Sequence, residues 1–99
     1  MEITRTNNSG TEVMSLIGRL DTVTSTKLQT SLMEAIEGAE AIELDFAAVE
    51  YVSSAGLRVL LQGQKAAQKS GKAMTLKNVS SEVMEVFDVT GFSGILTIE

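Results

Sequence analysis

The chain has 99 residues, of which 43% are hydrophobic and 21% are charged, a balance typical of one soluble globular domain, which we expect to span residues 1–99. Its formal net charge of −5 argues against nucleic-acid binding, because contact with phosphates needs a basic surface. Cysteine and histidine are both absent, which excludes disulfides, a thiolate nucleophile, a histidine-dependent serine triad and the usual zinc ligands.

The sequence also carries no membrane or export signal. The first residues, MEITRTNNSG, are polar and lack the hydrophobic region of a secretory signal. No apolar run approaches the length of about 20 residues that spans a bilayer. We therefore expect a cytoplasmic protein without membrane contact.

The first elements in chain order are predicted to be a β-hairpin and a helix. The segment NNSGT at 7–11 is typical of a tight turn, so the strands on either side, one around Ile3 and one formed by EVMSLIG, should pair. After them, apolar residues recur at helical spacing up to Gly38, which is the predicted end of the helix. Asp21 and Thr22 are the candidate N-caps. The apolar stripe consists of Leu28, Leu32, Ala35 and Ile36.

The second half of the chain alternates between strand and helix patterns. AIELDF at 41–46 has apolar residues at every second position and predicts a strand. A helical pattern then runs from about Ser54 to Ser70 and ends at Gly71. AMTL predicts a short strand, SSEVMEVFDVTG a helix that starts at Ser80 or Ser81 and ends at Gly91, and ILTI at 95–98 a last strand.

These elements predict an α/β fold with the order ββαβαβαβ. The hairpin makes the first strand pair antiparallel, whereas right-handed crossovers align the later strands in parallel. The sheet should therefore be mixed, with the helices packed on it.

Two adjacent serines stand where the strand pattern gives way to the second helix. Ser53 or Ser54 can cap that helix, although neither opens a capping box, because Gly56 and Leu57 stand three positions later. One cap needs one hydroxyl, so the second serine is free for another purpose. Gly56, which has no side chain, allows a close approach at this point. Sites in α/β proteins gather in such loops at the carboxyl ends of parallel strands.

Three segments resemble the STAS domain family, and within it the stand-alone bacterial anti-sigma factor antagonists of the SpoIIAA and RsbV type. The most specific is IELDFAAVEYVSSAGLRVLL at 42–61, followed by GRLDTVTSTKL at 18–28 and VFDVTGF at 86–92. The resemblance covers essentially the whole chain and implies a single STAS-type domain.

The resemblance implies a partner-switching protein that is a substrate and a binder, with no catalytic activity, cofactor or metal of its own. In that family the unphosphorylated antagonist binds an anti-sigma factor that is also a GHKL-type serine kinase. Phosphorylation of the antagonist dissociates the complex, and a PP2C-type phosphatase reverses it. The resemblance also implies that the free antagonist is a monomer.

The Gly-Leu pair of the family motif fixes which residues carry these functions. With Gly56-Leu57 as the anchor, Ser54 occupies the phosphoacceptor position, and Ser53, which stands where well-known members have aspartate, is the alternative acceptor. Ala55 takes the place of a second hydroxyl residue, and Asp21 matches the Gly-x-Leu-Asp motif of the family. The resemblance thus implies a partner-binding surface made of Asp21, Ser53, Ser54, Ala55, Gly56 and Leu57. For Asp21, a helix cap and a direct contact with the partner remain equal alternatives.

Two other functions remain open from the sequence. The chain could be a STAS scaffold or interaction module in a larger signalling or transport assembly. It could also be a metal-dependent hydrolase built on Asp21, Asp45 and Glu50, although no phosphate-binding loop of the P-loop type occurs.

Overall fold

The computed structural model describes residues 1–99, and its first element is the predicted hairpin. Strand β1 (Glu2–Asn8) pairs antiparallel with β2 (Thr11–Leu20). Both residues of the turn between them have left-handed backbone, with φ of 53° at Ser9 and 95° at Gly10. A two-residue turn with positive φ at both positions matches the right-handed twist of the flanking strands.

From β2 onward, helices and strands alternate as predicted. The elements are α1 (Thr24–Gly38), β3 (Ala41–Val52), α2 (Ser54–Lys69), β4 (Ala73–Lys77), α3 (Ser81–Thr90) and β5 (Thr97–Ile98), with a 3-10 turn at Phe92–Gly94 before β5. The sheet order is β1-β2-β3-β4-β5, and all neighbours from β2 to β5 are parallel. The α/β fold and the mixed sheet are therefore confirmed. None of the helices is long and apolar enough to cross a membrane.

One face of the sheet packs against the helices and forms the core. The alternation predicted for β3 is observed, with Ile42, Leu44 and Phe46 buried, and Glu43 and Asp45 half-buried on the opposite face. The helices contribute their apolar stripes to the same buried cluster. The main helical contributors are Leu28, Leu32, Leu57, Leu60, Val83 and Phe87.

All three helices end at or within two residues of the predicted glycines, but only two of these glycines are left-handed. Gly71 and Gly91 have φ of 71° and 83°, the left-handed conformation that terminates a helix. Helix α1 also ends at Gly38, but the residue after it, Ala39, is extended, and no left-handed residue is used there.

Two strand boundaries differ from the prediction. β3 continues to Val52 rather than ending at Phe46, and two register shifts against β2 place one extra β3 residue opposite each of the steps Ser15–Ile17 and Gly18–Arg19. Such bulges interrupt the alternation of apolar residues, so the sequence pattern hides the continuation. The last strand is shorter than predicted, because Ile95 and Leu96 follow the 3-10 turn outside the sheet.

Candidate functional site

The predicted site lies at the carboxyl ends of β2 and β3. The chain leaves β2 at Leu20 towards α1 and leaves β3 at Val52 towards α2. The two exits are joined by a hydrogen bond in which the Ser53 amide donates to the Leu20 carbonyl over 2.8 Å. This bond holds the loop before α1 beside the start of α2, and the residues predicted from the two separate motifs therefore meet at one edge of the sheet.

Ser53 is the N-cap of α2. Its backbone is extended, its Oγ accepts a hydrogen bond from the Gly56 amide over 3.3 Å, and its carbonyl accepts the Leu57 amide over 2.9 Å. Ser53 is half-buried, and both its hydroxyl and its backbone are committed to starting the helix. Of the two serines considered as caps, Ser53 is the one that performs this function.

Ser54 is the first residue of α2, and its side chain is exposed. The amides of the first helical turn have no partner within the helix, and they give this end a partial positive charge of about half an elementary unit. Because Gly56 and Leu57 already donate to Ser53, the amides left without a helical partner belong to Ser54 and Ala55. An exposed hydroxyl therefore lies at a site where a negative group is electrostatically favourable.

The other motif residues are less accessible. Ala55 is half-buried, while Gly56 is buried and Leu57 is 7% exposed. The close approach expected at Gly56 occurs within the chain, because a Cβ on Gly56 would lie 2.6 Å from Leu20 Cγ and 3.1 Å from the Leu20 carbonyl oxygen. Glycine therefore allows α2 to begin directly against the end of β2.

Asp21 caps the start of α1. Its Oδ1 accepts hydrogen bonds from the amides of Val23 and Thr24, each over 3.0 Å, and its carbonyl accepts the Ser25 amide over 2.9 Å. The Thr24 hydroxyl returns a bond by accepting the Asp21 amide over 2.9 Å. The hydrogen bond from the Thr24 amide is the main reason that the pKa of Asp21 lies below its usual value. Because Oδ1 accepts the two amide bonds, Oδ2 is left free for an external donor.

Two features of this edge escaped the sequence analysis. Val23 is 82% exposed in the loop before α1, so this loop presents an apolar side chain beside the predicted site. Arg19 and Tyr51 are register partners on β2 and β3, and the guanidinium carbon of Arg19 lies 4.3 Å from the centre of the tyrosine ring. Their contact depends on the bulged register of two strands, which the sequence does not display.

The three carboxylates of the hydrolase alternative do not form a common site. Asp21 caps α1, whereas Asp45 accepts hydrogen bonds from the Ala47 amide and from Asn78 Nδ2 over 3.0 and 3.1 Å. Glu50 is exposed on β3. No group of three acidic side chains in the chain is close enough to hold a metal ion.

Comparison with known proteins identifies the family of the chain. A family model described as "Mlab, STAS domain" matches residues 3–97. The chain belongs to the STAS domain family. The match includes both loops of the candidate site and all five strands apart from the ends of β1 and β5.

Two curated relatives of this STAS domain are named as antagonists. BtrV of Bordetella bronchiseptica, a proposed anti-sigma factor antagonist, is 28% identical over 99 residues, covering 99% of this chain and 85% of BtrV. The anti-sigma-B factor antagonist of Bacillus subtilis is 27% identical over 85 residues, covering 86% of this chain and 78% of that protein.

The fold is that of the anti-sigma factor antagonist SpoIIAA. The unphosphorylated form of SpoIIAA superimposes with a TM-score of 0.83 at 20% identity, covering 99% of this chain and 88% of that structure. The phosphorylated form from Bacillus gives a TM-score of 0.77 at 19% identity, covering 99% and 91% of the two chains.

Proposed function

We propose that this STAS domain is an anti-sigma factor antagonist whose binding is switched off by phosphorylation of Ser54. The observation that carries the proposal is the different state of the two serines: Ser53 Oγ caps α2, while the Ser54 side chain is exposed one residue later. The names of the two curated relatives support the class of partner.

In the proposed cycle the unphosphorylated chain binds an anti-sigma factor that is also a GHKL-type serine kinase. The kinase transfers the γ-phosphoryl group of ATP to Ser54 Oγ, the hydroxyl proton leaves, and ADP is released. The phosphorylated chain then dissociates, and a PP2C-type phosphatase hydrolyses the phosphoester to restore the Ser54 hydroxyl. The antagonist supplies a substrate and a surface, and the catalytic groups belong to its cytoplasmic partners.

The contact surface is proposed to centre on Ser54 and to extend to Asp21 across the bond between the two loops. Asp21 can accept a donor from the partner through Oδ2 while Oδ1 caps α1, so that the two alternatives for Asp21 are compatible. Ser53, Ala55, Gly56 and Leu57 form the base of this surface. Because Gly56 and Leu57 are buried, their contribution to partner contact is proposed to be small.

The switch follows from the cost of burying charge. A phosphate on Ser54 adds about −1.5 to −2 charges at pH 7 without disturbing the fold, since it projects from an exposed helix start. Within a closed interface the same group loses water. A buried charge that finds no donor on the partner costs about 2–5 kcal/mol, which is about thirtyfold or more in affinity.

Mapping the phosphorylated residue tests this proposal. The purified chain is incubated with its kinase and ATP, and the modified peptide is sequenced by mass spectrometry. We expect phosphate on Ser54, retained in Ser53→Ala and lost in Ser54→Ala. Phosphate on Ser53 that persists in Ser54→Ala would assign the alternative acceptor, and the absence of phosphate at both serines would contradict the proposal.

A second candidate function is a STAS interaction module within a larger signalling or transport assembly. The fold also occurs in a sulfate transporter family protein from Wolinella succinogenes, with a TM-score of 0.80 at 21% identity, covering 90% of this chain and 73% of that structure, which supports this candidate. Size-exclusion chromatography with light scattering separates the two. A monomer fits the antagonist, which we propose is monomeric when free, whereas a stable assembly that is unaffected by phosphorylation fits the module.

A further inference from the structure

Arg58 lies one helical turn beyond the proposed phosphoacceptor. Ser54 is the first residue of α2, Arg58 is the fifth, and both side chains are exposed. Residues four apart on a helix are neighbours, with Cβ atoms about 5–6 Å apart. Helical side chains also lean towards the N-terminus of their helix, so a side chain at position 58 can reach the turn that contains Ser54.

Arg58 has no anionic partner in the unphosphorylated chain. The ion pairs of the structure are made by Arg5 with Glu12 and Glu34, and by Lys77 with Glu43 and Glu99. The remaining arginine, Arg19, packs on the ring of Tyr51. Arg58 is therefore an unpaired guanidinium within reach of the Ser54 hydroxyl.

We propose that Arg58 is the internal counter-ion of the phosphorylated state, and that its guanidinium pairs with the phosphate on Ser54 across one turn of α2. This inference rests on the proposed phosphorylation of Ser54 and adds a residue that determines how the phosphate is held. A guanidinium can donate two parallel hydrogen bonds to phosphate oxygens, an arrangement that the ammonium of lysine does not reproduce. The phosphate is thereby held against its own helix.

The pairing also changes the net charge that the start of α2 presents to the partner. Before phosphorylation, this turn offers one free positive charge, that of Arg58. Afterwards the phosphate contributes about −1.5 to −2 and the guanidinium +1, so the sum is about −0.5 to −1 and the arginine is no longer available to an acidic group of the partner. A single modification therefore reverses the sign of this turn and removes a hydrogen-bond donor.

The second ionisation of the phosphate measures the pairing directly. Phosphoserine is installed at position 54 during protein synthesis, and the phosphate is titrated by phosphorus NMR in the parent chain and in Arg58→Gln, Arg58→Lys and Lys65→Gln. Lys65 is a matched control, because it is exposed on the same helix and belongs to no ion pair. It lies about 16 Å from Ser54 along the helix axis. At that distance salt at 0.15 M screens its charge.

We expect Arg58→Gln to raise the pKa of the phosphate by about 0.2–0.4 unit, because the dianion loses its partner. Arg58→Lys should give a smaller increase, and Lys65→Gln should leave the titration unchanged. Equal titrations of the parent chain, Arg58→Gln and Lys65→Gln would overturn the inference. No kinase takes part, so this result is independent of the phosphosite mapping, which tests the proposed function separately.

Discussion

Ser53 and Ser54 are adjacent and chemically identical, yet the backbone gives them different surroundings. Ser53 has extended backbone and directs its hydroxyl at the Gly56 amide, while Ser54 already belongs to α2 and its side chain is exposed. A cap stabilises a helix by satisfying an amide that has no other partner. The stability of the domain should therefore depend on the first serine and not on the second.

Substitution of the two serines tests that difference. Ser53→Ala should lower the free energy of unfolding by about 1 kcal/mol, because the Gly56 amide loses its acceptor. Ser54→Ala should change it by less than about 0.5 kcal/mol, since an exposed hydroxyl is removed. Urea denaturation of both variants measures the two changes in the free energy of unfolding. A larger loss in Ser54→Ala than in Ser53→Ala would contradict the assignment of the cap.

Gly56 provides a second test at this scale. In Gly56→Ala the new methyl group overlaps Leu20 Cγ, so the Leu20 side chain or the start of α2 must shift. We expect a loss of about 1–3 kcal/mol in stability, the usual cost of overpacking. Gly38→Ala is a matched control, because a Cβ there meets no atom within 4 Å. Equal stability of the two variants would show that the close contact of Gly56 with Leu20 does not restrict the residue at position 56.

At the scale of single residues, the sequence predicted which residues belong to the candidate site, but it did not predict which atoms they contact. Capping depends on residues three or four apart, so the choice between Ser53 and Ser54 was already confined to one turn. The contact of Gly56 with Leu20 joins residues that are distant along the chain, and no local pattern displays it. For the same reason the sequence interpretation, which assigned the close approach at Gly56 to a partner, was wrong, because Leu20 of the chain itself lies there.

At the scale of elements, the loop before α1 depends on the ionised form of Asp21. Hydrogen bonds from the Thr24 and Val23 amides favour the charged carboxylate, and the pKa is lowered. A group with a lowered folded pKa contributes stability that is present above its unfolded pKa, about 4, and lost as the pH falls through the folded value.

Asp21→Asn isolates this contribution, because asparagine remains a good cap but carries no charge. We expect the parent chain to be more stable than the variant at pH 7, and the difference to shrink as the pH falls below about 4. The titration of other groups, including Glu12 beside Arg5, occurs in both proteins and cancels. Thermal melting at several pH values measures the difference. A gap that stays constant from pH 7 to pH 2 would contradict the dependence on charge.

The limits of the strands show where pattern analysis stops at this scale. The alternation in AIELDF predicted the first half of β3, since its buried face is continuous. Beyond Phe46, two bulges against β2 change which residues face the core, and the period of two is lost. The segment ILTI has a strand-like composition, but the 3-10 turn before it leaves room for only Thr97–Ile98 to pair with β4.

At the scale of the whole molecule, the three helices are not equally anchored. Helix α1 buries five residues and α2 buries seven, whereas α3 buries only Val83 and Phe87. The ring of Phe87 packs edge-on against Phe46 of β3, with the ring centres 6.2 Å apart. Regions with few buried contacts open most readily, so α3 should be the least stable helix.

Hydrogen exchange should show this order, with amides of α3 exchanging before those of α1 and α2. Phe87→Ala should cost about 3–5 kcal/mol, a large share of the stability of a domain of this size. In Phe87→Ala, the amides in the loops around Ser53 should remain better protected against exchange than those of α3, because the site is formed by β2, β3 and α2. Protection in α3 equal to that in α2 would contradict this view of the fold.

The central claim is that phosphorylation of Ser54 controls binding, and the affinity for the proposed GHKL-type kinase partner tests it most directly. Isothermal titration calorimetry of the kinase compares the parent chain, the Ser54-phosphorylated chain, Ser54→Ala and Ser54→Asp. We predict that the parent and Ser54→Ala bind with similar affinity, that Ser54→Asp binds more weakly, and that phosphorylation weakens binding by about thirtyfold or more. Equal affinities of the phosphorylated and unphosphorylated chains would contradict the account.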